Sequence, residues 1–199
     1  DNDGSCEYLT GCLDASAINF NPDASIDNGS CEYLTGCMNE NAANYDPSAT
    51  QDNGSCIYAL SLQGIIDFTV PSGGSDGKAI HLIANQDIDD LSVFGLGVAN
   101  NGGGSDGMEY TFVGSANAGD DILIVRSEVA MYEYFADCFN EFEIVLVASS
   151  AISQNGDDAI ELFKYGQVIE TFGNVNVDGT GQDWEYLDSW AYKLSLIHI

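Results

Sequence analysis

The chain has 199 residues, with 32 Asp and Glu against 4 Lys and Arg, and a formal net charge of −28. That balance excludes binding to nucleic-acid backbones, where Lys and Arg must displace counterions, and docking on anionic membranes. The longest apolar run, Ile144 to Ala148, is too short to span a bilayer, and a hydrophobic content of 45% is that of a folded protein.

In chain order the first feature is a repeat. Residues 11–35 and 36–60 align at a period of 25, with twelve positions identical, among them Gly-Cys, Pro and Asp-Asn-Gly-Ser-Cys. Residues 1–10 match the end of such a unit, so the sequence is expected to begin inside an earlier repeat of a longer protein. No basic-then-apolar signal segment opens it. The organisation read from this is a repeat remnant at 1–10, Cys repeats at 11–35 and 36–58, and a larger domain at 59–193.

Five of the six cysteines lie in residues 1–58, beside ten acidic residues and no basic one. Large apolar side chains are too few there for a core, so the segment needs staples. Cys12 to Cys31 and Cys37 to Cys56 are both 19 apart, which suggests one disulfide within each unit. Each would close a loop of about 20 residues, worth roughly 3 kcal/mol. A rival pairing, Cys6–Cys12, Cys31–Cys37 and Cys56–Cys138, uses every cysteine. The in-unit pairing is preferred because a duplicated unit should carry its own staple. Zinc is disfavoured, since no Cys-x2-Cys pair occurs and the histidines are only His81 and His198. Either disulfide set implies an oxidising compartment, hence an extracellular or cell-surface location.

From residue 59 onward, short β runs alternate with turn signals. Strands are expected at 60–69, 78–84, 91–98, 108–113, 122–126, 142–148, 159–165, 168–172 and 189–193. Two of them, 122–126 and 142–148, are more continuously apolar than the rest and are expected to lie more centrally. Tyr165-Gly166-Gln167 suggests a hairpin turn. Residues 127–138 break the pattern. Val129, Tyr132 and Phe135 recur at helical spacing after Ser127, a good N-cap, so a short helix is expected. The fold class that follows is mainly β: a β-sandwich with one short helix, preceded by small disulfide-stapled, loop-rich repeats. The last six residues, Leu194 to Ile199, resemble translated sequencing-adapter read-through and are set aside as a non-native tail.

Two resemblances add to this reading. Gly11-Cys12-x-Asp14, Asn19-Phe20-Asn21-Pro22, Ala24 and Asp27-Asn28-Gly29-Ser30-Cys31 resemble the GC-x-D…D-x-G-S-C units of large secreted and surface proteins of marine and Bacteroidetes-type bacteria. That implies a surface or secreted location and carries no activity. Residues 77–82, 89–96, 122–126, 155–162 and 168–173 resemble strands of the lamin-tail domain, an immunoglobulin-like β-sandwich. In bacteria such domains resemble accessory modules of secreted nucleases, phosphatases and adhesins.

Catalytic chemistry finds little support. His81 lies in an apolar strand pattern and is read as structural. Cys138 has no neighbouring base and follows an apolar helix face, so a buried thiol or a disulfide partner is expected. Gly95-Leu96-Gly97 lacks the third glycine and the helix of a dinucleotide loop. Calcium is the better candidate. Asp1, Asp3, Asp27, Asn28, Asp52 and Asn53 place oxygen ligands beside turn glycines, although none completes an EF-hand loop. The competing reading makes these residues caps of their own turns. The function expected is a non-catalytic part of a large secreted or surface protein, in which spacer repeats carry a sandwich that binds an extracellular protein or glycan. No nucleic-acid partner and no membrane insertion are expected. The alternative is an accessory domain of a secreted hydrolase whose catalytic domain lies elsewhere.

Overall fold

The computed structural model describes residues 8–69 and 74–192. Asp1, Asp3 and Cys6, and the tail 194–199, lie outside them. The chain divides into two units, Asp1–Tyr58 and Ala59–Ile199.

In the first unit the period of 25 reappears as geometry. Strand β1 (Thr10–Gly11) pairs in parallel with β2 (Ile26–Asp27), and β3 (Thr35–Gly36) pairs identically with β4 (Gln51–Asp52). Cys12 is bonded to Cys31 and Cys37 to Cys56. Asn19 donates to the Ser30 carbonyl (2.6 Å) and accepts from the Glu32 amide (2.9 Å). Asn44 does the same with Ser55 (2.6 Å) and Ile57 (2.7 Å). One amide side chain thus ties each loop across its disulfide. A second tie changes polarity between units: the Tyr33 hydroxyl donates to Asp14 (2.7 Å), whereas Asn39 donates to the Tyr58 hydroxyl (3.0 Å). The buried hydrophobic side chains here are Cys12, Ala17, Cys37 and Ala42, while Ile18, Phe20, Ile26, Tyr45 and Ile57 are exposed. Crosslinks and polar ties hold this unit, not an apolar core.

The second unit is a β-sandwich. One sheet holds β5 (Leu60–Phe68), β6 (Gly77–Ala84), β9 (Asp121–Val125), β10 (Ile144–Val147) and β13 (Ser189–Tyr192), in the order β10-β9-β6-β5-β13. The other holds β7 (Phe94–Ala99), β8 (Tyr110–Thr111), β11 (Ala159–Lys164) and β12 (Gln167–Phe172), in the order β12-β11-β7-β8. Ile80, Leu82, Ile122 and Ile124 on the first sheet, and Phe94, Leu96, Ile160 and Leu162 on the second, are almost wholly buried. Such side chains supply the burial that drives folding. Within the first sheet, Lys78 pairs with Asp67 at 2.6 Å, both buried.

Helix α1 (Glu128–Phe135) starts at Ser127, whose hydroxyl accepts from the Ala130 amide (3.3 Å). A 3-10 segment, Ala136–Glu141, follows it. Together they link β9 to β10, which run parallel, a pairing that requires a crossover connection.

Several expectations are corrected. The run 142–148 forms an edge strand, not a central one, because its partner β9 lies on one side only. The expected helix face is wrong as well. Val129 and Tyr132 are exposed; Met131 is buried among Ile66, Ala79, Leu123, Val125 and Phe139, with Phe135 packed beside them. The flexible Met fills that hollow, and this rotates the helix away from the 129/132 stripe. Cys138 is unpaired and exposed rather than buried. The strand expected at 108–113 shrinks to Tyr110–Thr111, and that at 91–98 opens with a 3-10 turn at Leu91–Val93. Gly95 and Gly97 sit in β7 where a Cβ would collide with the Tyr110 and Gly107 carbonyls. Those glycines therefore serve close chain approach.

Candidate functional site

The outer face of the five-stranded sheet is built in rows. Tyr192 pairs with Gly64, Gly64 with His81, and His81 with Leu123; one row along, Trp190 pairs with Ile66, Ile66 with Ala79, and Ala79 with Val125. Side chains two apart on a strand share a face, so Trp190 and Tyr192 stand on the same side of β13. A bulge between Leu62 and Gly64 sets this phase on β5.

Small residues in the middle of these rows leave a hollow. Gly64 matters most. A Cβ there would lie 2.7 Å from the Tyr192 ring, so only glycine lets that ring lie over the β5 backbone. Tyr192 then reaches across to His81. Its hydroxyl is 2.6 Å from Nδ1, and Nε2 is 2.8 Å from Asp121 Oδ1. An ionised carboxylate only accepts, so Nε2–H donates to Asp121, and Nδ1 shares the second hydrogen bond with the Tyr192 hydroxyl. Burial, and then the charge of Asp121, push the Tyr192 phenol above its ordinary value. It therefore stays protonated as a donor at neutral pH.

The helix and the loop after it supply the other wall. Tyr134 stacks on Phe68 with centroids 4.6 Å apart, Phe135 and Phe142 meet edge to face at 5.5 Å, and Phe142 meets the His81 ring at 5.3 Å. The result is a cleft of about 270 Å³ lined by Phe68, His81, Tyr134, Phe142, Trp190 and Tyr192 with their neighbours. Trp190 remains 59% exposed at its rim. Both His81 nitrogens are engaged within the Tyr192–His81–Asp121 chain.

The sequence-predicted residues lie elsewhere. Asp27 and Asp52 accept from the Gly29 and Gly54 amides at 3.0 Å, and Asn28 and Asn53 accept from those of Ser30 and Ser55 at 3.0 Å. Among the described residues, no three His, Cys, Asp or Glu side chains gather around a common point. Asp1 and Asp3 lie outside those residues. The aromatic cleft itself was missed by sequence reasoning. Its one local signal is Trp190-Ala191-Tyr192, two aromatics at strand period flanking a small residue. The rest depends on pairings across more than 100 residues.

Comparison with protein-family models, curated proteins and solved structures finds no match to the chain. Among the described residues, no helix is long and apolar enough to cross a membrane. The two disulfides belong to an oxidising environment.

Proposed function

We propose that this chain is a non-catalytic binding module of a secreted or cell-surface protein. The repeats act as a spacer, and the sandwich engages its ligand through the aromatic cleft. The observation that carries this reading is the exposed set of rings, Trp190, Tyr192 and Tyr134, that line one cleft. Aromatic groups half in water supply contact area and a polar tip at small conformational cost, the composition typical of binding surfaces. An extracellular protein or glycan is the partner class expected from the composition. The likeness of residues 60–193 to a lamin-tail domain, an immunoglobulin-like fold, is proposed on the segments quoted above and fits an accessory role.

The test is amide chemical-shift mapping against oligosaccharides, peptides and small organic ligands. Shifts confined to β5, β6, β13 and α1, and lost in Trp190→Ala, are expected. Shifts mapping only to the opposite sheet would refute the cleft as the site.

A further inference from the structure

The cleft is unusual in its chemistry as well as its shape. Its lining holds aromatic rings, the His81 imidazole and aliphatic groups, with no carboxylate, guanidinium, ammonium or carboxamide among them. Of the four fixed cations, Lys78 is paired with Asp67, Arg126 donates to the Ile152 carbonyl (3.1 Å), and Lys164 lies over the Phe94 ring at 5.8 Å. Lys193 lies outside the described residues. The whole chain nonetheless carries a net charge of −28. At the His81 end, Asp121 and Glu143 sit together, the Glu143 carboxylate accepting from the Asp121 amide at 2.8 Å. A cation is therefore drawn towards a pocket that offers it no ion pair.

Aromatic rings are what such a pocket does offer. Trp190 and Tyr192 stand nearly perpendicular, at 78° with centroids 5.9 Å apart, and Phe135 and Phe142 at 68°. Rings set at steep angles make walls rather than one flat shelf, and a cation over a ring face is attracted by the ring quadrupole. We infer that the cleft takes a quaternary ammonium cation, such as a trimethylammonium group on a carbon tether, held by cation–π contact with Trp190, Tyr192 and Tyr134. This rests on the binding reading of the same cleft.

Competing ligand classes fit less well. An anion is repelled by the field of the chain. A lysine ammonium would bury three donors against apolar rings and lose its hydration. A neutral sugar needs in-plane hydrogen-bond partners, and both His81 nitrogens are already engaged. A quaternary ammonium has no N–H to leave unsatisfied. A volume of about 270 Å³ admits such a group with its tether.

The experiment titrates the full chain with choline and with 3,3-dimethylbutan-1-ol, its neutral isostere, at constant ionic strength, read by amide shifts and by Trp emission. Phosphatidylcholine vesicles form a third arm, which separates a lipid headgroup from a free cation. Choline is expected to bind about tenfold more tightly than the isostere, the equivalent of ~1.4 kcal/mol. Trp190→Ala and Tyr134→Ala, both at exposed positions, should abolish that preference while the fold persists. Equal binding of choline and the isostere would overturn the cation assignment and leave an apolar binding cleft. Shifts in the cleft with oligosaccharide but not with choline would do the same. Choline shifts that persist in both variants, or that lie elsewhere, would remove the cleft as the cation site.

Discussion

The two units solve the same problem by opposite means. The repeats expose most of their large apolar side chains and rely on Cys12–Cys31, Cys37–Cys56 and the Asn19 and Asn44 ties. The sandwich buries Ile80, Leu82, Ile122 and Ile124 and carries no disulfide among its described residues. A repeat of 25 residues cannot enclose a core, because small chains keep too much of their surface in contact with water. A domain of about 135 residues can, and the surplus of its structure is free for a binding face. Stability bought with crosslinks suits a spacer; stability drawn from burial suits a site that needs fixed geometry.

The sharpest way to break this comparison is reduction. Reductant should unfold residues 8–58 and leave the sandwich intact, since a loop of about 20 residues loses roughly 3 kcal/mol with its crosslink. Amide exchange should collapse in the repeats while Trp emission, which reports only on Trp184 and Trp190 in the sandwich, stays unchanged. Loss of both signals together would show that the sandwich depends on the repeats.

The next largest effect tests the sandwich alone. Lys78→Met leaves the buried Asp67 carboxylate without its cation. Breaking one side of a buried pair costs roughly 3–5 kcal/mol. Urea unfolding followed by Trp emission should show that loss, with the disulfides and the repeat amides untouched. A loss below about 1 kcal/mol would mean that Asp67 finds water.

Acid should act with opposite sign on one carboxyl in each unit, Asp14 and Asp158. In the repeats, the Ser16 amide and then the Tyr33 hydroxyl hold the Asp14 carboxyl below its ordinary value. Its contribution is present above the unfolded value of about 3.9 and is lost as pH falls through the folded value. In the sandwich, burial pushes the Asp158 carboxyl up, against the pull of the Asn101 and Asn155 amides. Its contribution is present below the unfolded value and is lost as pH rises through the folded one. Asp14→Asn should therefore cost most near neutrality, and Asp158→Asn most in acid. Unfolding curves between pH 3 and 6 decide this, and parallel pH profiles would refute it.

Legibility in the sequence follows the range of the interactions. The staples of the repeats were readable because both cysteines of each pair fall within one period. The sandwich strands were readable because alternation and glycine turns are local signals. The edge position of 142–148 was not, since an apolar run looks the same whether one neighbour covers it or two. The helix face failed because Met131, not the Val129/Tyr132 stripe, fits the hollow between Ala79 and Leu123. The cleft was least legible. It needs Tyr192 to meet Gly64 and His81, partners 128 and 111 positions away in the chain.

The smallest expected effect concerns metal at the repeat turns, where the comparison is finest. Calcium at Asp27, Asn28, Asp52 and Asn53 would make the repeats a metal-stapled unit as well as a crosslinked one. Calcium needs six to eight oxygen ligands, and each of these loops offers one carboxylate that already accepts from a glycine amide. A chain of net charge −28 also gains from any salt, which shortens the range of its self-repulsion to about 8 Å at physiological ionic strength. The expected outcome is therefore that Ca²⁺, Mg²⁺ and NaCl at equal ionic strength stabilise the repeats equally, as read by amide exchange. Asp27→Ala plus Asp52→Ala should then weaken the turns in all three salts alike, by the loss of two caps. An increment specific to Ca²⁺, smaller with Mg²⁺ because of its stricter octahedral geometry, and absent in the double variant, would establish the metal and convert these turns from caps into ligands.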